Sequence, residues 1–430
     1  MSKTNFRWVI IGLAFLITII NYVDRSAIAF AMPILSKLFH LNAEDIGLTL
    51  GAFNIGYALM VFVGGLLVDN WGSRKIWFLA ALVWSVSIFS TAFAMGFTYL
   101  FIVRLVLGLA EGPNFPALNR VVGDWLPIRE RATALADALV AVPLALMIGG
   151  PIVAFLATRF EWQGMFMILG LAGVIWAPIW LFMYKDYPEK SKFVNDEELA
   201  HIREKSNVDR ARSDHEIRRE HNKVQKGLWK FLLTNPTLLS NDWAFFVFGY
   251  NLFFFLGWLP TFLNSTYHMN LMKIGVFTIL PWALASILLF FVGRLSDKIL
   301  ASTKSLRKAR SHPIWISQLL GGFSLLPVIL YHDLNTAMIS ISLAVGLNMA
   351  ANSSFYATNV DVIRQRSGTS LGVMDFFFAI AGLIASTLTG FIVQITGSFT
   401  AAFIFMLFLN LTSVVGVILF HHPDGEKFQA

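Results

Sequence analysis

The sequence predicts an all-α polytopic membrane protein, with twelve transmembrane helices in two six-helix halves related as a parallel pseudo-repeat. Composition is the first reason: 56% of the 430 residues are hydrophobic and 14% charged. Soluble domains carry roughly 25% charged residues, so so apolar a chain cannot present a water-solvated surface. Run length is the second. Apolar stretches of about 20 residues recur, the length a helix needs to cross a bilayer core of ~30 Å, and the alternating ~10-residue segments of an outer-membrane barrel are absent. The third is a polar motif that occurs once in each half at corresponding places. Parallel six-span halves of this kind belong to transporters that bind at the repeat interface.

The elements follow in order. A first span over 7–35 is apolar from Trp8 to Ile20, continues past Asn21, Asp24 and Arg25, and has no small-residue cleavage site, so it is read as a retained helix and not a secretory signal. Spans follow over 47–68, 76–95, 98–119, 132–157 and 164–184. The segment 185–237 alone behaves like soluble protein; its mixed charge, as in "EIRREHNKVQK", predicts a solvated or amphipathic helix at the membrane surface. The second six spans are 238–263, 274–293, 313–331, 337–361, 369–394 and 399–420. The domains are therefore 1–184, a linker over 185–237, and 238–430. Loop charge sets the topology. Arg74, Lys75, Arg129, Arg131, Arg294, Lys298, Arg307, Lys308, Arg310, Arg364 and Arg366 fall on one side with the linker, against Lys37, Arg159 and Lys273 on the other. By the positive-inside rule both termini are cytoplasmic. The net charge of +7 is thereby a matter of topology and calls for no nucleic acid partner.

The repeated motif reads "GGLLVDNWGSRK" at 64–75 and "VGRLSDKILASTKSLRK" at 292–308. Gly65 permits close helix approach and Gly72 a tight turn. A helix-end Asp69 facing basic loops is expected to form an ionic latch with Arg129 or Arg131, alongside Arg74. The plainer alternative is an ordinary charged loop, which would only have to satisfy topology.

Intramembrane charge is the functional signal. Arg104 and Glu111 are seven residues apart, two helical turns, and so share a face with Gly108 between them. Ionisable residues within spans are costly and mark ion or substrate paths. Acids in a partly dry cavity suit reversible protonation, while an Arg presents a fork that matches a carboxylate bidentately. Asp24 and Arg25, adjacent in "NYVDR", are expected to act as proton carrier and charge partner. Their competitor is a pair of interfacial residues snorkelling to water, and for Arg104 and Glu111 it is a structural ion pair.

"NYVDR" at 21–25, "RLVLGLAEGPNFPALNR" at 104–120 and "DWLPIRERATA" at 124–134, with the motif at 64–75, resemble the anion:cation symporter family of the major facilitator superfamily over nearly the whole chain. That family includes hexuronate, galactonate and glucarate carriers and vesicular glutamate and sialic acid transporters. The resemblance implies protonation at Asp24 and Glu111, with Arg25 and Arg104 engaging substrate or tuning those acids, and substrate contacts at Tyr22 and Tyr57, although aromatic residues near span ends also serve as interface anchors.

In the second half, "NMAANSSFYATN" at 348–359 offers Asn352 and Ser354 as cavity-lining groups, which the family places on this helix; small polar residues of this kind also glue helices together. Two departures stand out. Family members with sugar-acid substrates carry Asn where this chain has Asp375 and Gln where it has Val142, and Asp137 adds a further acid in the fifth span. An ionised carboxylate at a binding site repels an anion.

P-loop and dinucleotide fingerprints are absent, as is metal-ligand spacing among the nine His, and there is no Cys. The expectation is a monomeric, cofactor-free and metal-free proton-coupled symporter, not an enzyme, importing a small organic anion across a bacterial inner membrane. Its partners are substrate, protons and the lipid bilayer. The acids keep open a transporter of zwitterionic or cationic solutes or a proton-antiport exporter, and a receptor or scaffold is the rival outside transport.

Overall fold

A computed structural model describes residues 4–203, 227–331, 333–363 and 367–425. Among them the chain is helical throughout, with no strand. Its helices are α1 Phe6–Leu38, α2 Ala43–Trp71, α3 Ser73–Thr91, α4 Phe97–Glu111, α5 Asn114–Trp125, α6 Ile128–Leu139, α7 Ala141–Met183 and α8 Asp196–Ile202. After α9, which includes 227–234, come α10 Pro236–Tyr267, α11 Leu271–Thr303, α12 His312–Phe323, α13 Leu326–Leu330, α14 Leu334–Ala350, α15 Asn352–Val362, α16 Ser367–Thr396 and α17 Thr400–Phe420.

Nine helical stretches among the described residues are long and apolar enough to cross a membrane, and a tenth is α2, bent by 45° near its centre. Helix ends carry the side-chain caps their sequences offer. Asn235, Asn270 and Asp333 accept hydrogen bonds from the free N–H groups of Leu238, Lys273 and Thr336 at 2.9 Å each. The loop expected between 157 and 164 is reduced to a break inside α7, at Phe160 and Glu161, where Glu161 adopts φ 58°. No glycine or proline stands there before Gly164, so helix persists on both sides of the break. The linker shows α8 and α9; its middle lies outside the described residues.

The chain divides into two compact units, Met1–Ala31 with Ala52–Ile217, and Met32–Gly51 with Arg218–Ala430. In the first unit α3 lies against α7, where Trp77 meets Trp176 and Trp180 edge-on at 5.8 and 4.8 Å. The linker helix is tied to the start of α1: fully buried Glu198 accepts from the backbone N–H of Phe6 and Arg7 and from the Arg7 guanidinium, all at 3.0 Å. Arg7 also donates to Glu130 at 2.8 Å, and His201 lies 2.7 Å from the same carboxylate. Burial pushes the Glu130 carboxyl up, but the hydrogen bonds from Arg7 and His201 outweigh it and hold the group below its ordinary range.

In the second unit the start of α2 lies directly on α16. A Cβ on Gly390 would fall 2.4 Å from the Ala43 carbonyl, so only glycine fits there. Polar groups join the apolar helices, as expected where lipid offers no competing hydrophobic drive: Gln318 donates to the Ala244 carbonyl at 2.7 Å and Asn410 to Asn251 at 3.2 Å. The tail after α17 folds back so that Asp424 accepts from the N–H groups of Leu306 and Arg307 at 2.6 and 3.0 Å, and His421 is fully buried against Ser311.

Candidate functional site

A glycine seam in the first unit sets the geometry. A Cβ on Gly108 would sit 2.0 Å from the Phe53 carbonyl oxygen, and one on Gly56 would sit 2.2 Å from that of Leu105. Neither position admits a side chain, so α2 and α4 pack backbone against backbone. This brings Phe53 and Tyr57 of α2 beside Arg104 and Glu111 of α4, with Arg25 of α1 among them.

Arg25 donates through Nε and Nη2 to Oε2 of Glu111 at 3.1 and 2.8 Å, and through Nη2 to Asn21 at 3.4 Å. Its guanidinium also lies over the rings of Tyr22, Phe53 and Tyr57, at 4.6, 4.6 and 5.0 Å. Both members of the ion pair are buried, with side-chain exposures of 2% and 0%. The Arg104 guanidinium lies 4.9 Å from the centroid of the same Phe53 ring, so one aromatic ring serves two cations. Nε and Nη1 of Arg104 have no hydrogen-bond partner among the described residues. The same holds for both oxygens of Asp24, which is 1% exposed.

Tyr22, Asp24, Arg25, Tyr57, Arg104 and Glu111 thus gather in one buried place. The pairing within it differs from the expectation. Arg25 is the partner of Glu111, 86 positions away, and not of Asp24 beside it in sequence. Consecutive helical residues diverge by about 100° around the axis, so a neighbour in sequence is not a neighbour on the face. Asn21 and Phe53 belong to the set and were missed; each lies four residues before an expected member, Arg25 and Tyr57, on the same helical face.

The pairing of Asp69 also differs from the expectation. Asp69 receives Arg120 at 3.3 Å on an exposed surface. Arg131 instead donates to the carbonyls of Leu126 and Gly123, at 3.1 and 2.7 Å. Arg74 donates to the Leu181 carbonyl at 2.6 Å through Nη2, and its backbone N–H to Asp186 at 2.9 Å. The side chain of Arg129 lies outside the described residues. Arg120 reaches Asp69 because α5 carries it back over the end of α2. In the second copy of the motif Asp297 pairs with Arg310 at 3.0 Å, and the other edge of that guanidinium meets Asp361 at 3.0 Å.

Of the residues expected in the second half, Ser354 is fully buried with no hydrogen-bond partner for its Oγ among the described residues. Asn352 and Asp375 are half-buried, and Asp375 accepts from the Tyr356 hydroxyl at 3.4 Å. Asp137 lies exposed on α6. Asp242, near the start of α10 and 6% exposed, was missed; an acid seven residues into an apolar span was the signal that could have found it.

The sequence profile of the Major Facilitator Superfamily matches residues 14–386. The chain belongs to this superfamily. It is accordingly a multi-pass membrane transporter and not an enzyme, and the resemblance carried by its motifs holds. The transporter is 32% identical over 414 residues to a hexuronate transporter of Bacillus subtilis (strain 168), covering 95% of this chain and 93% of that one. It is 30% identical over 434 residues to a probable galactarate/D-glucarate transporter of the same organism, covering 98% and 93%. Among solved structures a D-xylose-proton symporter shares the fold with a TM-score of 0.76 at 12% identity, over 99% of this chain and 100% of that one.

Proposed function

We propose that this transporter is a proton-coupled symporter that imports a sugar-acid-like organic anion across a bacterial inner membrane by alternating access. In this reading it acts as a monomer with twelve spans and both termini cytoplasmic. α3 and the two arms of α7 would supply the spans beyond those long and apolar enough to count alone. One observation carries the mechanism: the buried set on α1, α2 and α4 contains a closed Arg25–Glu111 pair, together with an acid and an Arg whose Oδ1, Oδ2, Nε and Nη1 have no hydrogen-bond partner among the described residues. Arg104 can receive a carboxylate of the substrate, since its guanidinium has N–H groups to offer and an aromatic face to hold it flat. Among the described residues Asp24 enters no ion pair that would keep it ionised, so taking up a proton removes a buried charge. With both acids ionised the four groups sum to zero; each proton bound adds one positive charge, which an incoming carboxylate neutralises. Anion and proton therefore favour each other's binding, as symport requires. The relatives that transport hexuronate and are assigned aldarates support the substrate class.

Reconstituted liposomes loaded at neutral pH and placed in acidic buffer with radiolabelled D-glucuronate test this. Wild-type protein should accumulate the anion. Asp24→Asn should lose accumulation yet keep counterflow, and Arg104→Ala should lose binding itself. Accumulation by both Asp24→Asn and Glu111→Gln under a pH gradient alone would overturn the coupling scheme.

A further inference from the structure

One contact pattern occurs twice, once in each unit, and ties the start of one helix to the end of a neighbour. α3 begins after Gly72, which has no side chain to cap the free N–H groups of the first turn. The cap comes from another helix: Asp186, three residues past the end of α7, accepts from the Arg74 N–H at 2.9 Å. A Cβ on Gly72 would fall 2.7 Å from an oxygen of that carboxylate, so the carboxylate stands where a capping side chain would. In return Arg74 donates through Nη2 and Nε to the Leu181 carbonyl at 2.6 and 3.2 Å. Leu181 lies in the last turn of α7, whose carbonyls lack partners within the helix.

The second unit repeats this. Asp424, four residues past the end of α17, accepts from the N–H groups of Leu306 and Arg307 at 2.6 and 3.0 Å and from the Ser305 hydroxyl at 3.0 Å. These donors stand at the start of the turn Arg307–Ser311 that leads into α12. Arg307 in turn donates through Nη2 to the Ile418 carbonyl of α17 at 3.1 Å. The correspondence extends to the backbone. Tyr184 and His421, each the residue after its helix, donate to the carbonyls of Trp180 and Val417 at 2.9 and 3.1 Å, and the next carbonyl is in each case the one the arginine takes. Both arginines come from the repeated motif, Arg74 from "GSRK" at 72–75 and Arg307 from "SLRK" at 305–308. The helices so joined also pack together, α3 on α7 where Trp77 meets Trp180, and α12 on α17 where Ser413 donates to Gln318.

An acid at a helix start and an arginine at a helix end each complement the local dipole. The two contacts also depend on each other, because the turn that the carboxylate caps is the turn that carries the arginine. We propose that each half of the transporter holds a reciprocal clamp, Asp186 with Arg74 and Asp424 with Arg307, which locks α3 to the second arm of α7 and α12 to α17, so that each pair travels as one body through the transport cycle. The four are positioning residues, and none belongs to the buried set on α1, α2 and α4. Asp186 and Arg74 are half-buried whereas Asp424 and Arg307 are exposed, so the first clamp is the firmer and the second the more sensitive to salt. The clamps stand on contacts within each unit; their place in the cycle rests on alternating access, and neither depends on the proton or the anion.

Hydrogen–deuterium exchange of the purified full-length protein tests the clamp without substrate. Asp186→Ala should speed exchange at 73–76 by about fivefold, as the loss of one side-chain cap does, and should loosen 181–184 of α7 as well. Asp186→Asn still offers an acceptor and should stay close to wild type. Asp424→Ala should act likewise on 306–309 and 418–421, to a smaller extent. Loosening confined to the capped start, or none at all, would overturn the clamp, and the second half decides alone if the Asp186 variant fails to fold. For the cycle, Arg74→Leu should slow D-glucuronate uptake by liposomes at unchanged KM, whereas a covalent bridge between α3 and α7 should not. The chain has no Cys, and a Cβ on residue 173 would lie 3.3 Å from that of Ser85, close to the separation in a disulfide. Ser85→Cys with Gly173→Cys supplies that bridge. Uptake arrested by oxidation and restored by reduction, or undiminished in Arg74→Leu, would overturn the one-body movement. Wild type without uptake would instead sink the import reading, and exchange would still decide whether α3 and α7 are locked together.

Discussion

Removing one member of the Arg25–Glu111 pair should cost far more stability than removing the neighbouring Asp24. At 2.8 Å and an effective dielectric constant of about 20, the gross attraction of the pair is about 6 kcal/mol. Much of it offsets the desolvation of two charges that are 2% and 0% exposed. Deleting one partner leaves the other charge buried and unmatched, so Glu111→Gln and Arg25→Met should each destabilise the protein by about 3–5 kcal/mol. Combining Arg25→Met with Glu111→Gln removes both buried charges together with their attraction, so the double variant should lose far less stability than the sum of the single losses. Asp24 has no hydrogen-bond partner among the described residues, and Asp24→Asn replaces a buried carboxyl by a neutral group of the same shape. It should be neutral or stabilising. Denaturant-induced unfolding of the four variants in one detergent, followed by tryptophan fluorescence, measures all of these. The pairing scheme is refuted if Asp24→Asn loses as much stability as Glu111→Gln, or if the two single losses simply add.

Two further outcomes follow from the same geometry. Asp69→Asn should cost less than about 1 kcal/mol of stability, because the pair with Arg120 is exposed by 67% and 41%; a role in steadying one transport state would show instead as slower glucuronate uptake at unchanged affinity, and Arg120→Gln should copy it whereas Arg131→Gln should not. His421, just past the end of α17, is held down to about 3 by burial, with His422 and Arg307 adding to the effect. Its folded-state affinity for protons is depressed, so below the unfolded value of about 6.5 the unfolded chain binds the extra proton and stability falls as pH falls. By pH 5 that loss is about 2 kcal/mol, and His421→Gln should flatten the decline of melting temperature between pH 7 and pH 5. An equal slope in both proteins would show that His421 is not held neutral in the fold.

The sequence alone determined the class, the order of the apolar helices and the charged residues that gather on α1 and α4. These are readings of local composition: twenty apolar residues suffice to mark a span, and an acid or arginine within one is costly enough to stand out wherever the chain later goes. The recurrence of Asp69 and Asp297 at the ends of corresponding helices was equally legible, because a repeat is a property of order along the chain. Which charge meets which was not legible. Arg25 turned from adjacent Asp24 to Glu111, and Asp69 met Arg120 and not Arg131. Each choice depends on how far helices rotate about their axes and how closely they approach, and those are set by packing. At the centre of the first unit the decision falls to Gly56 and Gly108, whose missing side chains let α2 and α4 close until an aromatic ring of one lies under two cations. A glycine in a sequence announces that such an approach is possible; only the folded helices show against which partner it is used.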